Sequence, residues 1–287
     1  LFPYTTLFRS PSYPSHALAS VYLHNSLNQI IEQETPDGGK TNYYYDELSR
    51  IIASQNAEQN LQSKYSYTLY DELSRIIEVG ELTALSNLSG HYLDQQTWED
   101  WYAIQEGTRT QMTQTFYSSP QPQHQAEQAN LRGRVSYIQT VGSIAAKDIR
   151  HVTTYTYDIH GNVNTLWQDN LQYGISARMD YTYDLISGNV HELHYQPGKI
   201  DQFIHRYTYD VDNRLQTVRT STDGYLWDQD ANYAYYPHGP LAKKIIGQEK
   251  VQAQQYAYTL QGWLKGMNSG ALMPQHDMGQ DGLPGDD

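Results

Sequence analysis

A short motif recurs along this chain at a nearly fixed period, and that recurrence constrains the fold more than any other feature. Its clearest copies are Tyr155-Thr-Tyr157-Asp158-Ile-His-Gly161-Asn-Val163, Tyr181-Thr-Tyr183-Asp184-Leu-Ile-Ser-Gly188-Asn-Val190 and Tyr207-Thr-Tyr209-Asp210-Val-Asp-Asn213-Arg-Leu215. Two earlier copies are Tyr43-Tyr-Tyr45-Asp46-Glu-Leu-Ser49-Arg-Ile51 and Tyr70-Asp71-Glu-Leu-Ser-Arg-Ile76. Two degenerate copies follow, Tyr233-Ala-Tyr235-Tyr-Pro-His-Gly239-Pro-Leu241 and Tyr256-Ala-Tyr258-Thr-Leu-Gln-Gly262-Trp-Leu264. The aspartates at 46, 71, 158, 184 and 210 are spaced by 25, 87, 26 and 26 residues, a period of about 26 with one long gap.

The motif has a physical reading. In Tyr-x-Tyr both rings fall on one face of a strand, because strand side chains alternate. The aspartate that follows can bind backbone N–H groups ahead of it and so starts a turn. Glycine, asparagine or serine then tolerates the turn's backbone, and a branched apolar residue (Ile51, Ile76, Val163, Val190, Leu215) opens the return strand. Each unit is therefore predicted to be one antiparallel β-hairpin. The apolar positions after the turn, such as Val163 and Leu166, lie three apart; a bulge and packing on both faces both accommodate this spacing. One hairpin cannot bury its apolar face, so successive hairpins must lie side by side. The chain holds 27 tyrosines and only 4 phenylalanines, which suits sheets whose rings also offer a hydroxyl.

The fold expected is all-β, a coiled sheet of consecutive hairpins with one short helical insertion. Residues 1–10 read like the translation of a sequencing adapter and are set apart; 11–80 and 131–270 carry the repeats. Residues 81–130 are read as a non-repeat insertion. In it Trp98, Trp101 and Tyr102 have helical spacing, and Ser118–Asn130, rich in Gln and Pro, reads as a loop. Residues 271–287 are Gly-, Pro- and Asp-rich and read as a truncated linker.

Composition limits function. With 32 acidic against 19 basic residues the net charge is −13, and no basic cluster exists, which argues against nucleic acid as a partner. No cysteine is present, so disulfides, thiolate metal sites and cysteine nucleophiles are all excluded. No apolar run is long enough for a transmembrane helix. His191-Glu-Leu-His194 lacks the spacing of a zinc protease helix, and in a strand its histidines face opposite ways. Asp210-Val-Asp-Asn213 opens like a calcium loop but has Leu215 and Ser221 where Gly and Glu are required. Pro36-Asp-Gly-Gly-Lys40 reads as a tight turn rather than a phosphate loop, and no G-x-S-x-G elbow exists. The repeated aspartates read as turn caps, not catalytic pairs. No enzyme, metal or cofactor is expected. Trp98, Trp101, Trp167, Trp227 and Trp263 could stack on sugars or pack in the core.

The repeat Tyr-x-Tyr-Asp-x-x-Gly-(Arg/Asn)-(Ile/Val/Leu) resembles the YD repeat of the Rhs family, found also in teneurins and in the B and C components of insecticidal toxin complexes. The resemblance covers about residues 40–80 and 130–270, and stretches such as Gly188–Gly198 and Tyr258–Lys265 resemble Bacteroidetes-type Rhs proteins. It implies a hollow shell that encapsulates or delivers a C-terminal toxin or effector segment of the same protein, in a secreted or cell-envelope setting. The family's aspartyl autoprotease motif is not matched by Asp281–Asp287. The alternative expectation is a cell-surface adhesion module with glycans as partners.

Overall fold

A computed structural model describes residues 19–105, 108–146 and 148–267. The adapter-like segment and the C-terminal linker lie outside these residues. The fold is all-β: eighteen strands in an antiparallel sheet, with two short helices among the described residues. The strands up to the first helix are β1 Val21–His24, β2 Ile30–Thr35, β3 Gly39–Tyr45 and β4 Ile51–Gln55. Helix α1 (Ala57–Leu61) precedes β5 Lys64–Tyr70 and β6 Ile76–Thr83; helix α2 (Gln95–Ile104) precedes β7 Arg109–Tyr117. Next come β8 Val135–Ser143, β9 Ile149–Tyr157, β10 Val163–Asn170, β11 Ile175–Tyr183 and β12 Val190–Tyr195. The last six are β13 Phe203–Tyr209, β14 Leu215–Ser221, β15 Asp228–Tyr235, β16 Leu241–Ile246, β17 Gln252–Tyr258 and β18 Leu264–Met267. From β1 to β7 and from β11 to β18, each strand pairs antiparallel with its sequence neighbours.

The three-residue apolar spacing has its cause in the register. Pairing shifts by one residue at Tyr44/Tyr45, Leu69/Tyr70, Thr182/Tyr183, Thr208/Tyr209, Ala234/Tyr235 and Ala257/Tyr258, always beside the turn. In the β3–β4 turn, Ser49 N–H donates to the Asp46 carbonyl, and Asp46 N–H to the Arg50 carbonyl. Ser49 sits at φ 64°, in the left-handed region. This is the three-residue hairpin loop closed by a bulge, and it delivers the extra residue.

Two compact units are distinguished. The first holds the chain up to Ser119 with Tyr137–Val152 and Asn170–Tyr173; the second holds Pro120–Ser136, Thr153–Asp169 and the chain from Gly174. The first contains an apolar core: Tyr44, Ile52, Ala53, Tyr65, Tyr67, Leu82, Met112 and Val141 from the strands, covered by Leu93, Trp98 and Trp101. Helix α2 supplies the two tryptophans of that cover. Asp94 caps its N-terminus by accepting from Thr97 N–H (2.9 Å), and Trp98 and Trp101 point inward one turn apart. Trp101 meets the edge of Tyr65 at 5.4 Å and donates its indole N–H to the Ser86 carbonyl.

In the second unit the segment after Ser118 is a loop whose side chains bond strand backbone. Gln128 donates to the carbonyls of Ser136 (3.0 Å) and Tyr155 (2.7 Å), and His124 stacks on Trp167 at 4.6 Å. From Gly174 onward little is buried: the hydrophobic residues that reach that state are Ile204, Ala231, Tyr236 and Ala257. Strands β12 and β16 bury none of their residues.

Two elements differ from the sequence expectation. A second helix, α1, occupies the link between β4 and β5, closed by a capping box between Asn56 and Gln59. Strand β7 lies within the segment read as non-repeat insertion, and Phe116 stacks on Tyr137 of β8 at 4.2 Å.

Candidate functional site

The turn and the tyrosine beside it form a unit that the chain repeats. Asp46 Oδ1 accepts from the N–H groups of Leu48 (3.0 Å) and Arg50 (2.8 Å), while its Oδ2 accepts from Arg50 Nε (2.7 Å). Asp71 does the same with Leu73 and Arg75, and Asp210 with Asp212 and Arg214. Asp158 binds His160, Gly161 and Asn162, with the Asn162 amide in place of the arginine. Asp184 serves a turn one residue longer, in which Gly188 N–H reaches the Asp184 carbonyl. Partial desolvation pushes the carboxyl groups of Asp71, Asp158 and Asp210 up, but the backbone and side-chain donors outweigh it and hold them below the usual range. Asp184 is lowered chiefly by the Ser187 N–H.

The tyrosine just before the turn reaches the preceding hairpin. Its hydroxyl donates to the carbonyl of that hairpin's first return-strand residue: Tyr45 to Ile30 (2.7 Å), Tyr70 to Ile51 (2.9 Å) and Tyr117 to Ile76 (3.1 Å). The series continues with Tyr157 to Val135, Tyr183 to Val163, Tyr209 to Val190 and Tyr235 to Leu215, all between 2.7 and 2.9 Å. Phenylalanine could not make this bond, which gives these seven positions a reason to be tyrosine. Where the turn carries arginine, its guanidinium covers the same ring: Arg50 on Tyr70 (4.4 Å), Arg75 on Tyr117 (4.0 Å) and Arg214 on Tyr235 (4.6 Å). Each of these seven joints between hairpins is thus fastened by one hydroxyl and, where the turn carries arginine, by one cation.

The other repeat positions are also placed. The first tyrosine of the pair stacks on its partner in Tyr155/Tyr157 and Tyr181/Tyr183 (both 6.5 Å), while Tyr43 donates to Gln33 and Tyr207 stacks on His205. Tyr233 lies on β15, and Tyr256 on β17 donates to Gln254. Gly161, Gly188, Gly239 and Gly262 all have positive φ, as does Asn213. The edge of Tyr258 meets Tyr236, which stands in the aspartate position of its turn. One turn was missed by sequence reading. Asn25 binds the N–H groups of Leu27 and Gln29 as the aspartates do, with Asn28 at φ 61°. An Asn-x-x-Asn search would have found it.

The most enzyme-like cluster is buried in the first unit. The Glu78 carboxylate accepts from Tyr67 (2.6 Å), Tyr102 (3.0 Å), Arg109 (3.1 Å) and Gln114 (2.7 Å). Burial pushes its carboxyl up, and these donors reverse the shift to leave it lowered; burial likewise raises the Tyr67 and Tyr102 hydroxyls. Both carboxylate oxygens are occupied, so the group ties α2 and β5–β7 together.

The remaining candidates fall apart spatially. His194 bonds Glu192 at 2.8 Å, and Glu192 also accepts from Arg206 (2.6 Å). Asp210 is spent on its turn. Pro36–Lys40 spans the β2–β3 hairpin turn, with Gly39 at φ 65° and Lys40 paired to Glu32. Among the described residues no three His, Asp or Glu side chains gather to hold a metal. Trp98, Trp101 and Trp167 are buried and Trp227 lies under Arg206 at 3.7 Å, whereas Trp263 is 74% exposed. No described helix is long and apolar enough to cross a membrane.

No protein-family model and no curated protein sequence matches the chain. Solved structures do. The TcdB2-TccC3 crystal structure without its hypervariable C-terminal region matches with a TM-score of 0.57 at 15% identity, covering 86% of this chain. The Photorhabdus luminescens Tc holotoxin pore carrying the D651A change in TccC3 gives 0.56 at 15%, and TcdB2-TccC3-TEV gives 0.55 at 15%. The chain spans about a tenth of each of these longer chains. At this identity the likeness concerns the fold alone, and it supports the Rhs-like fold expected from the repeat.

Proposed function

We propose that this chain is a stretch of wall in an Rhs-type shell that encapsulates or delivers a C-terminal effector or toxin segment, without catalysis of its own. The observation that carries this reading is the run of hairpins β11–β18. It is fastened hairpin to hairpin by tyrosine hydroxyls as far as β15 yet builds almost no core, which suits a partition rather than a reaction centre. The fold likeness to the TcdB2-TccC3 structures adds support. On this reading the partner is the effector segment of the same full-length protein, and the setting is secreted or cell-envelope. Kinship with Bacteroidetes-type Rhs proteins and teneurins rests on the repeats alone.

The test is limited proteolysis of the full-length protein. The effector segment should resist protease when the repeats are intact and become sensitive when they are deleted. Equal sensitivity in both cases would overturn encapsulation. Carbohydrate adhesion is the alternative, and the exposed Trp263 favours it most. Saturable glycan binding lost in Trp263→Ala would support it.

A further inference from the structure

A cavity of about 440 Å³ opens in the first unit beside α2, a size within the usual range for ligand pockets. Its floor is apolar, with Ile52, Leu69, Ile77 and Trp98 from three strands and the helix. Its rim is acidic. Of five lining carboxylates, Asp46 and Asp71 are spent on their turns and on Arg50 and Arg75. Glu47 and Glu72 have no hydrogen bond or ion pair among the described residues, and Glu99 only accepts from Gln95. Among the described residues Arg50 is the one cation lining the cavity, and it is already paired. Three carboxylates therefore remain uncompensated around an apolar floor, while Leu48 adds an exposed aliphatic lip.

From this complementarity we infer that the cavity is a docking site for a basic amphipathic peptide segment. A large apolar side chain would fill the floor, and flanking Lys or Arg would meet Glu47, Glu72 and Glu99. The apolar contact supplies residence, since anchors in pockets dominate such interfaces. The rim charge supplies steering and selects against acidic segments. Glu47 and Glu72 sit in exposed turns and make no fold contact, so neutralising them leaves the hairpins intact.

The experiment measures fluorescence anisotropy of a labelled decapeptide of alternating Leu and Lys on the whole chain. Two counterparts are measured beside it, one with Glu for every Lys and one entirely of Lys. The Leu/Lys peptide should bind saturably, and at least tenfold more tightly than either counterpart. The variant E47Q/E72Q/E99Q should lose at least tenfold in affinity with its thermal midpoint unmoved. The charge-matched control D201N/D228N/E249Q should keep the affinity of the unsubstituted chain. Equal loss in the control, equal binding of the all-Lys or the Glu peptide, or absence of saturable binding would each overturn the site.

Discussion

Two regions of this molecule use one hairpin design and reach different ends. Strands β4–β7 lie under helix α2 and bury Ile52, Ala53, Tyr65, Tyr67, Leu82 and Met112. Strands β12–β17 have the same turns and the same tyrosine bonds but bury few hydrophobic side chains. The turn-and-tyrosine unit is therefore what makes the sheet, and the cover is an addition to it. Buried apolar surface gives the first region its stability. The second must draw on hydrogen bonds, cross-strand contacts and cation–ring pairs, each worth about 0.5–1.5 kcal/mol.

The sharpest way to break the comparison is to attack each region's charged cluster. Glu78→Ala leaves Arg109 and two tyrosines facing a buried gap, and should cost about 3–5 kcal/mol in chemical denaturation. Glu192→Ala removes the partner of Arg206 and His194 in the bare region, and should cost about 1 kcal/mol or less. Equal losses would mean that the cover contributes nothing.

Crowding is the next test. A Cβ at Gly80 would meet Met112 Cγ and the Tyr67 hydroxyl, both at 2.9 Å. Gly80→Ala should therefore lower stability by about 1–3 kcal/mol, with the near-ultraviolet aromatic signal altered.

The turns should behave alike in both regions. Asp71→Ala and Asp210→Ala should each lower the thermal midpoint by a similar, modest amount, because each carboxylate accepts from two backbone N–H groups and the arginine of its own turn. Acid probes the same carboxylates together. Their folded pKa values lie below the ordinary 3.8, so the stability they contribute is present above about pH 4 and is lost as pH falls through the folded values. The thermal midpoint should drop below about pH 4 by more than in an Asp71→Asn/Asp210→Asn variant.

Much of this was legible in the sequence, and for a physical reason. A hairpin's turn is local: aspartate, its arginine and the left-handed residue lie within five positions, so their spacing shows in the text. The bulge showed only as an odd apolar spacing, because its cause is a register shift between strands. Tyrosine's abundance implied a use for the hydroxyl, but its acceptor lies 15 to 41 residues upstream, at a distance set by whatever separates the hairpins. The Glu78 cluster was not legible, since Tyr67, Tyr102, Arg109 and Gln114 meet only after folding. Strand β7 escaped notice because Ser118 stands where the repeat has aspartate.

The last effects concern the tyrosine hydroxyls, and they carry the central claim. Burial raises the pKa of Tyr183, Tyr209 and Tyr235, and their protonated hydroxyls hold neighbouring hairpins. Each Tyr→Phe change should cost about 1 kcal/mol. The direct measurement is native-state hydrogen exchange on the triple variant Y183F/Y209F/Y235F. Amides of β11–β15 should exchange faster by on the order of tenfold or more, while those of β4–β7 keep their protection. Unchanged exchange in β11–β15, or equal acceleration in both regions, would contradict the account.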